Sequence, residues 1–297
     1  MKKTSVILIF ILIAATVISI AACSDENAGS ESSSAVPTEA LQTEATGAQT
    51  EPGETVTVTE SNADETTGTA GFPQSGYGYP DGYKLSPSPA DDEYIKTLTF
   101  LGDSTTYHLK ARGEIPADRI IHGKAYTVSL MYLSDLRIRT ASETEDDYKT
   151  VSNYFLTHHP ERLVVTVGLG GGVTYVKSGK LDRDGFMYYY SKLIRYIRES
   201  SPETTVMLQS IFPVLKENGV GADNDTINEV NSWIREFAVE NGLYYYDTHS
   251  VLVDETGSLK DEYAVQKDGS GKVDGYHITA AGYRAILNYI IAYKYEG

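Results

Sequence analysis

The chain has 297 residues, enough for one or two domains, and a formal net charge of −16. Such acidity disfavours nucleic acid as a partner, because phosphate groups are bound by clustered Lys and Arg side chains. The single cysteine, Cys23, excludes an intramolecular disulfide and a cysteine-based metal cluster. No His-x-x-x-His pair occurs either, so we expect no metal and no cofactor.

The first 23 residues are predicted to be an export signal. Two lysines precede an apolar run that ends in the sequence IAAC at residues 20–23. This pattern resembles the lipobox of bacterial lipoproteins, in which the cysteine, here Cys23, is lipidated and becomes the mature N-terminus. The alternative is a transmembrane anchor, since residues 5–22 approach the length that spans a bilayer. Under both interpretations the rest of the chain lies outside the cytoplasm, at the outer face of the bacterial cell membrane.

Residues 24–90 are predicted to form a disordered linker. Residues 24–83 contain 11 Asp and Glu but no Lys, Arg or His, and the segment is rich in Ser, Thr and Gly. Such a composition buries too little apolar surface to offset the conformational entropy of folding. The segment would therefore act as a tether that holds a domain away from the membrane. We expect the aromatic residues of its last part, residues 71–83, to pack against that domain.

Beyond the linker, residues 91–297 have the composition of a globular domain in which β-rich runs alternate with helical periods. The predicted strands cover residues 96–102, 118–123, 162–168, 204–211 and 242–247. Apolar residues at helical spacing predict one helix around residues 186–197 and another around 283–291, the latter capped by Thr279. Alternating strands and helices favour an α/β fold, a three-layer α/β/α sandwich with a five-stranded parallel sheet. The functional crevice of such a sheet lies beyond the carboxyl ends of its strands.

The first strand ends in Gly102-Asp103-Ser104, which places a serine at that crevice. A serine hydroxyl needs a general base to become a nucleophile, usually an imidazole oriented by a carboxylate. Of six histidines, His277 lies in a glycine-containing loop before the last predicted helix, three residues after Asp274. His249, two residues after Asp247, is the competing candidate base.

Gly-Asp-Ser after the first strand and Asp-x-x-His before the last helix together resemble the SGNH or GDSL hydrolase family, over essentially all of residues 95–295. The resemblance implies a flavodoxin-like fold in which Ser104 is the nucleophile, His277 the general base and Asp274 its orienting acid. It also implies that the Ser104 N–H donates to the oxyanion, helped by the field of the helix that begins there. Gly123, after the second strand, matches the glycine that supplies a second N–H donor.

The segment after the third strand departs from the family pattern, which usually reads Gly-x-Asn-Asp. Gly168 matches, but the position of the oxyanion-binding Asn is Gly170, and Gly171 follows it. Losing one oxyanion donor typically lowers turnover by about 100- to 1000-fold. The N–H groups of residues 170–172 could form a nest that replaces the amide, or Gln209 or Asn224 could reach into the site. Alternatively, the run is only a flexible loop and the domain has kept the fold for binding.

The function that these features favour is an extracytoplasmic serine ester hydrolase that removes O-acyl groups, such as acetyl, from carbohydrate or other small esters. One alternative is a weak or inactive glycan- or surface-binding lipoprotein, and another is an acyltransferase that uses the same residues. Some of the 23 tyrosines could line a carbohydrate groove. The expected partners are the ester substrate and, through lipidated Cys23, the membrane; we expect a monomer.

Overall fold

The computed structural model describes residues 78–295. The predicted signal segment, Cys23 and the linker up to residue 77 lie outside the described residues. Within residues 78–295, no helix combines the length and the apolar character needed to cross a membrane.

A seven-stranded sheet forms the centre of the domain, with the order β4-β3-β2-β1-β5-β6-β7. Its strands are β1 Leu98–Gly102, β2 Ile120–Gly123, β3 Arg137–Thr140, β4 Lys149–Thr150, β5 Arg162–Thr166, β6 Thr205–Gln209 and β7 Tyr244–Tyr246. The five predicted strands are all present and pair in parallel. Their order along the sheet is that of a flavodoxin-like fold. The prediction of a purely parallel, five-stranded sheet left out two strands. The short strands β3 and β4 extend one edge of the sheet in antiparallel pairing.

Helices cover both faces of the sheet, which confirms the α/β class. The helices are α1 Glu93–Lys96, α2 Ser104–Tyr107, α3 Leu109–Arg112, α4 Val151–Phe155, α5 Thr174–Lys177, α6 Arg183–Ser200, α7 Asn224–Glu240, α8 His249–Leu252 and α9 Ala280–Ala292. The three long helices each begin with a side-chain cap, from Asp182, Asp223 and, as predicted, Thr279. These caps satisfy N–H groups that the first turn of a helix leaves without a partner.

Two hydrophobic clusters, one on each face of the sheet, form the core. Strand side chains alternate between the two faces, so in β5 Leu163 and Val165 join one cluster while Val164 joins the other. The first cluster packs against α4, α6 and α7, and the second against α1, α8 and α9. This packing fixes the carboxyl ends of β1 and β5, where the candidate site lies.

The last part of the predicted linker, residues 78–90, packs on the domain, and its tyrosines make contacts of the kind expected for the aromatic residues there. The Tyr79 hydroxyl donates to the Ala285 carbonyl over 2.7 Å, and the Tyr79 and Tyr83 rings stack with centroids 5.7 Å apart. The Ser86 N–H donates over 2.7 Å to the side chain of Asn288, which is fully buried. A buried amide on α9 and tyrosine rings thus hold this polar segment against the rest of the domain.

Candidate active site

The Gly-Asp-Ser sequence makes the turn from β1 into α2, and Gly102 is required there by close backbone packing. A Cβ atom at Gly102 would lie 2.3 Å from the Thr166 carbonyl oxygen on the neighbouring strand β5. The turn leaves Ser104 partly exposed at the carboxyl end of the sheet. The helix that follows it ends after one turn, at Tyr107, so it offers less of a helix dipole than the sequence led us to expect.

Asp103 ties together the loops that follow three strands. Its buried carboxylate accepts hydrogen bonds from the Val128 N–H at 2.7 Å and the Gly168 N–H at 3.2 Å. Burial raises the pKa of Asp103 to about 6, against the opposing effect of the N–H groups of Val128, Gly168, Leu169 and Gly170. The Gly170 N–H, expected at an oxyanion, lies close enough to this carboxylate to lower its pKa.

Asp274 and His277 form the predicted pair in a tight turn before α9. The Asp274 carboxylate accepts from the His277 ring Nδ1 at 2.9 Å and from the backbone N–H of His277 at 2.8 Å. Between them, Gly275 has a φ of +69°, and a Cβ there would lie 2.4 Å from the Glu217 carbonyl oxygen. Burial alone would raise the pKa of Asp274, but the hydrogen bonds from His277 and Tyr276 outweigh it and lower that pKa.

The structure brings Ser104 to this pair. His277 Nε2 lies 2.8 Å from the Ser104 hydroxyl oxygen, so a chain of two hydrogen bonds links the serine to Asp274. With Asp274 ionised, Nδ1 carries the imidazole proton, and Nε2 is left to accept the serine proton. The competing histidine, His249, begins α8 after β7, which lies three strands and about 14 Å from β1 across the sheet.

The glycine run is a packed turn, not a flexible loop. Residues 169–173 form one π-helical turn, which Gly168 enters with a φ of +120°. A Cβ at Gly171 would lie 2.9 Å from the Ser129 Cα, and one at Gly172 would lie 2.6 Å from the Phe186 ring. Gly170 differs, because a Cβ there would meet no heavy atom of the described chain within 4 Å.

Neither side chain suggested as a replacement for the family's Asn faces Ser104. The Gln209 amide donates to Thr248 at 2.8 Å and accepts from Thr166 at 2.7 Å, inside the core. The Asn224 side chain is hydrogen-bonded in both directions to the backbone of Val214. Both amides therefore satisfy buried polar groups within the fold.

Gly123 lies at the end of β2, one residue beyond the pair formed by His122 and Gly102. This register places it beside the turn that carries Ser104, as the family resemblance implied. A Cβ at Gly123 would lie 2.0 Å from the Thr127 carbonyl oxygen, so the loop after β2 requires glycine here.

Sequence reasoning did not identify the ring of aromatic side chains beside Ser104. The rings of Tyr126 and Tyr107 have centroids 4.1 Å apart, and the Tyr107 and His108 centroids are 6.0 Å apart. The His108 and His277 rings meet edge-on with centroids 4.7 Å apart, and the Tyr276 and His277 centroids are 4.1 Å apart. The i,i+4 spacing of Ser104 and His108 could have indicated part of this arrangement.

Comparison with known proteins finds a matching family model. The sequence model of the GDSL-like Lipase/Acylhydrolase family matches residues 100–285, a range that includes Ser104, Asp274 and His277. No curated protein matches the chain.

The chain is also similar to solved structures of esterases and lipolytic proteins. A GDSL-like lipase from Bacteroides thetaiotaomicron VPI-5482 is 16% identical with a TM-score of 0.42, over 66% of this chain and 87% of that chain. An acetyl xylan esterase is 18% identical with a TM-score of 0.41, over 67% of this chain and 99% of that chain. A member of the lipolytic protein G-D-S-L family from Veillonella parvula DSM 2008 is 14% identical with a TM-score of 0.41, over 65% and 95%. At TM-scores below 0.5 these likenesses carry no conclusion about the substrate.

Proposed function

The chain belongs to the GDSL-like lipase/acylhydrolase family, and on that premise we propose that it is a serine ester hydrolase whose triad is Ser104, His277 and Asp274. The observation that carries the proposal is the continuous hydrogen-bonded chain from the Ser104 hydroxyl through the His277 ring to the buried Asp274. A module kept only for binding has no need for an imidazole held in this tautomer 2.8 Å from a serine.

In the first half of the reaction, the Ser104 oxygen attacks the acyl carbon while His277 Nε2 takes its proton. Asp274 stabilises the imidazolium that forms, because its ionised carboxylate already accepts the Nδ1 proton. The carbonyl π electrons move to oxygen, and the N–H groups of Ser104 and Gly123 are the proposed donors to that oxyanion. Collapse of the intermediate breaks the bond to the alcohol, which leaves with the proton from His277.

The second half hydrolyses the acyl-serine. His277 takes a proton from water, whose oxygen attacks the acyl carbon, and the new intermediate expels the Ser104 oxygen. His277 returns its proton to that oxygen, so the acid product leaves and the enzyme is restored. An alcohol in place of water would give acyl transfer with the same residues.

The substrate that we propose is an O-acyl ester, such as an acetyl ester, on carbohydrate outside the cytoplasm. The support is the group of aromatic side chains beside Ser104. Aromatic rings pack against the C–H faces of sugars, while their polar atoms form hydrogen bonds with hydroxyl groups. The lipobox-like end of the export signal supports attachment to the membrane through Cys23.

Steady-state hydrolysis of p-nitrophenyl acetate and of an acetylated xylan tests the activity. We expect the parent chain to release acetate from both, and Ser104→Ala and His277→Ala to fall to background. Ser178→Ala, an exposed serine on the surface, is the matched control that should keep the parent rate. Equal background rates in all four proteins on both substrates would refute the enzyme and favour the glycan-binding alternative.

The membrane anchor is tested separately by metabolic labelling with a radioactive fatty acid in a bacterial host. We expect label on the parent chain and none on Cys23→Ala, which should also move from the membrane fraction to the soluble fraction. Retention of unlabelled protein in the membrane would instead support the transmembrane anchor of residues 5–22.

A further inference from the structure

His122, the residue before Gly123, carries a buried polar atom that no described residue satisfies. Its side chain is fully buried, and its Nδ1 lies 2.8 Å from the Gly123 carbonyl oxygen. A carbonyl only accepts hydrogen bonds, so Nδ1 carries the ring proton and Nε2 presents a lone pair. Nε2 has no hydrogen-bond partner among residues 78–295. A buried acceptor of this kind is costly to the folded protein and marks a place where a donor is expected.

Tyr126 covers His122, and the loop that carries it has an unusual backbone. Ala125 and Tyr126 have φ values of +51° and +57°, the left-handed region that residues other than glycine rarely adopt. Two consecutive residues of this kind persist only where surrounding contacts hold them, and they occur preferentially at functional sites. Tyr126 remains 42% exposed while its ring lies 5.2 Å from His122 and 4.1 Å from Tyr107.

These side chains lie beside the proposed nucleophile. Tyr107 ends the single turn of helix that begins at Ser104, and His122 pairs across the sheet with Gly102, two residues before Ser104. The Tyr107 ring meets the His122 ring edge-on at 4.9 Å. The Lys110 ammonium donates to the Tyr107 hydroxyl over 2.7 Å, which fixes the outer end of that ring. Tyr107 and Tyr126 therefore lie close to the place where an ester bound at Ser104 would sit.

We propose that Tyr107, His122 and Tyr126 form a subsite for the hydroxylated alcohol part of the substrate. This subsite rests on the esterase function proposed above. The ring of Tyr107, which contacts His122 and Lys110, provides the apolar face on which a sugar ring lies. Tyr126 turns aside as the sugar enters, which releases its left-handed loop, and a sugar hydroxyl donates a hydrogen bond to His122 Nε2. The subsite thus selects esters that carry a free hydroxyl near the scissile bond.

The test compares two esters that differ only in that donor: a methyl glycoside with one acetyl group and free hydroxyls, and the same glycoside with its hydroxyls O-methylated. The measured quantity is the ratio of their kcat/KM values. We expect the parent to prefer the hydroxylated ester, and His122→Phe to lower the ratio about 10-fold, the effect of one hydrogen bond. His122→Asn, which keeps an acceptor oxygen, should restore part of the ratio. His159→Phe on the surface is the matched control and should keep the parent ratio.

Three results would overturn the subsite: a parent ratio near one, a ratio that is unchanged in His122→Phe, or an equal loss on both esters, which indicates a merely structural role. Failure of the esterase itself is recognised separately, by the binding of the deacetylated glycoside in saturation-transfer NMR. A parent that hydrolyses neither ester but binds the glycoside in a His122-dependent way would refute the enzyme and keep the subsite. A parent that neither hydrolyses nor binds would overturn both.

Discussion

Replacing Gly171 with alanine is expected to destabilise the domain and slow catalysis, whereas the same replacement at Gly170 is not. The added Cβ at Gly171 would lie 2.9 Å from the Ser129 Cα and 3.0 Å from the Val128 carbonyl oxygen. Both atoms belong to the backbone, so no flexible side chain can move aside. At Gly170 the same Cβ would meet no described heavy atom within 4 Å, and its φ lies outside the left-handed region.

The magnitude follows from what the shift would disturb. Overpacking of this kind typically costs about 1–3 kcal/mol. Moving Val128 would also weaken its 2.7 Å hydrogen bond to the buried Asp103 carboxylate, and hydrogen bonds to charged groups contribute about 1.5–3 kcal/mol. Because the two effects share one displacement, we expect a total near 2–3 kcal/mol for Gly171→Ala. In a domain of this size that lowers Tm by about 4–12 °C. Gly170→Ala should be neutral or stabilise by up to about 1 kcal/mol, since alanine restricts the unfolded chain.

Thermal unfolding followed by circular dichroism, with urea unfolding as a second measure, gives both stabilities. Hydrolysis of p-nitrophenyl acetate at a temperature where both variants are folded gives the rates, and we expect only Gly171→Ala to be slower than the parent. Equal Tm values for the two variants would refute the conclusion that the glycine run is a packed turn. A Gly171→Ala variant with the stability and activity of the parent would contradict the conclusion that close packing of residue 171 on residue 128 supports the site.

Three further predictions concern the site's charges and donors. Asp274→Asn should lower kcat by about 10³- to 10⁴-fold with little change in KM, because His277 loses the partner that fixes its tautomer. Kinetics like those of the parent would show that Asp274 is not a member of the triad. Gly170→Asn should have a kcat about 10- to 100-fold higher than Gly170→Ala, because the open space there admits a side-chain oxyanion donor. Equal rates would mean that backbone amides alone stabilise the oxyanion. Asp103, with a pKa of about 6, binds its proton more tightly when folded, so its contribution to stability is present below pH 4 and is lost as the pH rises through 6. Urea unfolding from pH 4 to 7 should show this loss, at most about 3 kcal/mol, and Asp103→Asn should lack it.

The parallel part of the fold could be predicted because its strands are apolar runs ended by glycine or polar residues. Strand β3, Arg137–Thr140, was not predicted because its sequence RIRT alternates charged and uncharged residues at the sheet's edge. Strand β4 was not predicted because it has only two residues. Helix α7 was missed although a signal existed, since Ile227, Val230 and Ile234 lie at helical spacing after the capping Asp223. The aromatic residues of the linker's end indicated packing on the domain, but the contact of Ser86 with the buried Asn288 on α9 is one that composition does not reveal.

The candidate site was partly predictable for a related reason. Ser104, Asp274 and His277 carry short motifs whose spacing places them at the ends of elements, and the structure brings all three within hydrogen-bond distance. The hydrogen bonds of Gln209 could not be predicted from the sequence, because its buried partners Thr166 and Thr248 come from other strands and loops. The left-handed backbone of Tyr126 likewise has no sequence signature, since neither glycine nor asparagine marks it.

The central claim, that Ser104 is an activated nucleophile, is tested most directly by covalent labelling with an organophosphate ester that phosphorylates activated serines. Intact mass measurement and peptide mapping give the number of labels and their position. The account predicts one label per chain, on Ser104, that disappears in His277→Ala while the fold is retained. A parent chain that remains unlabelled, or a label on another serine that persists in Ser104→Ala, would contradict it.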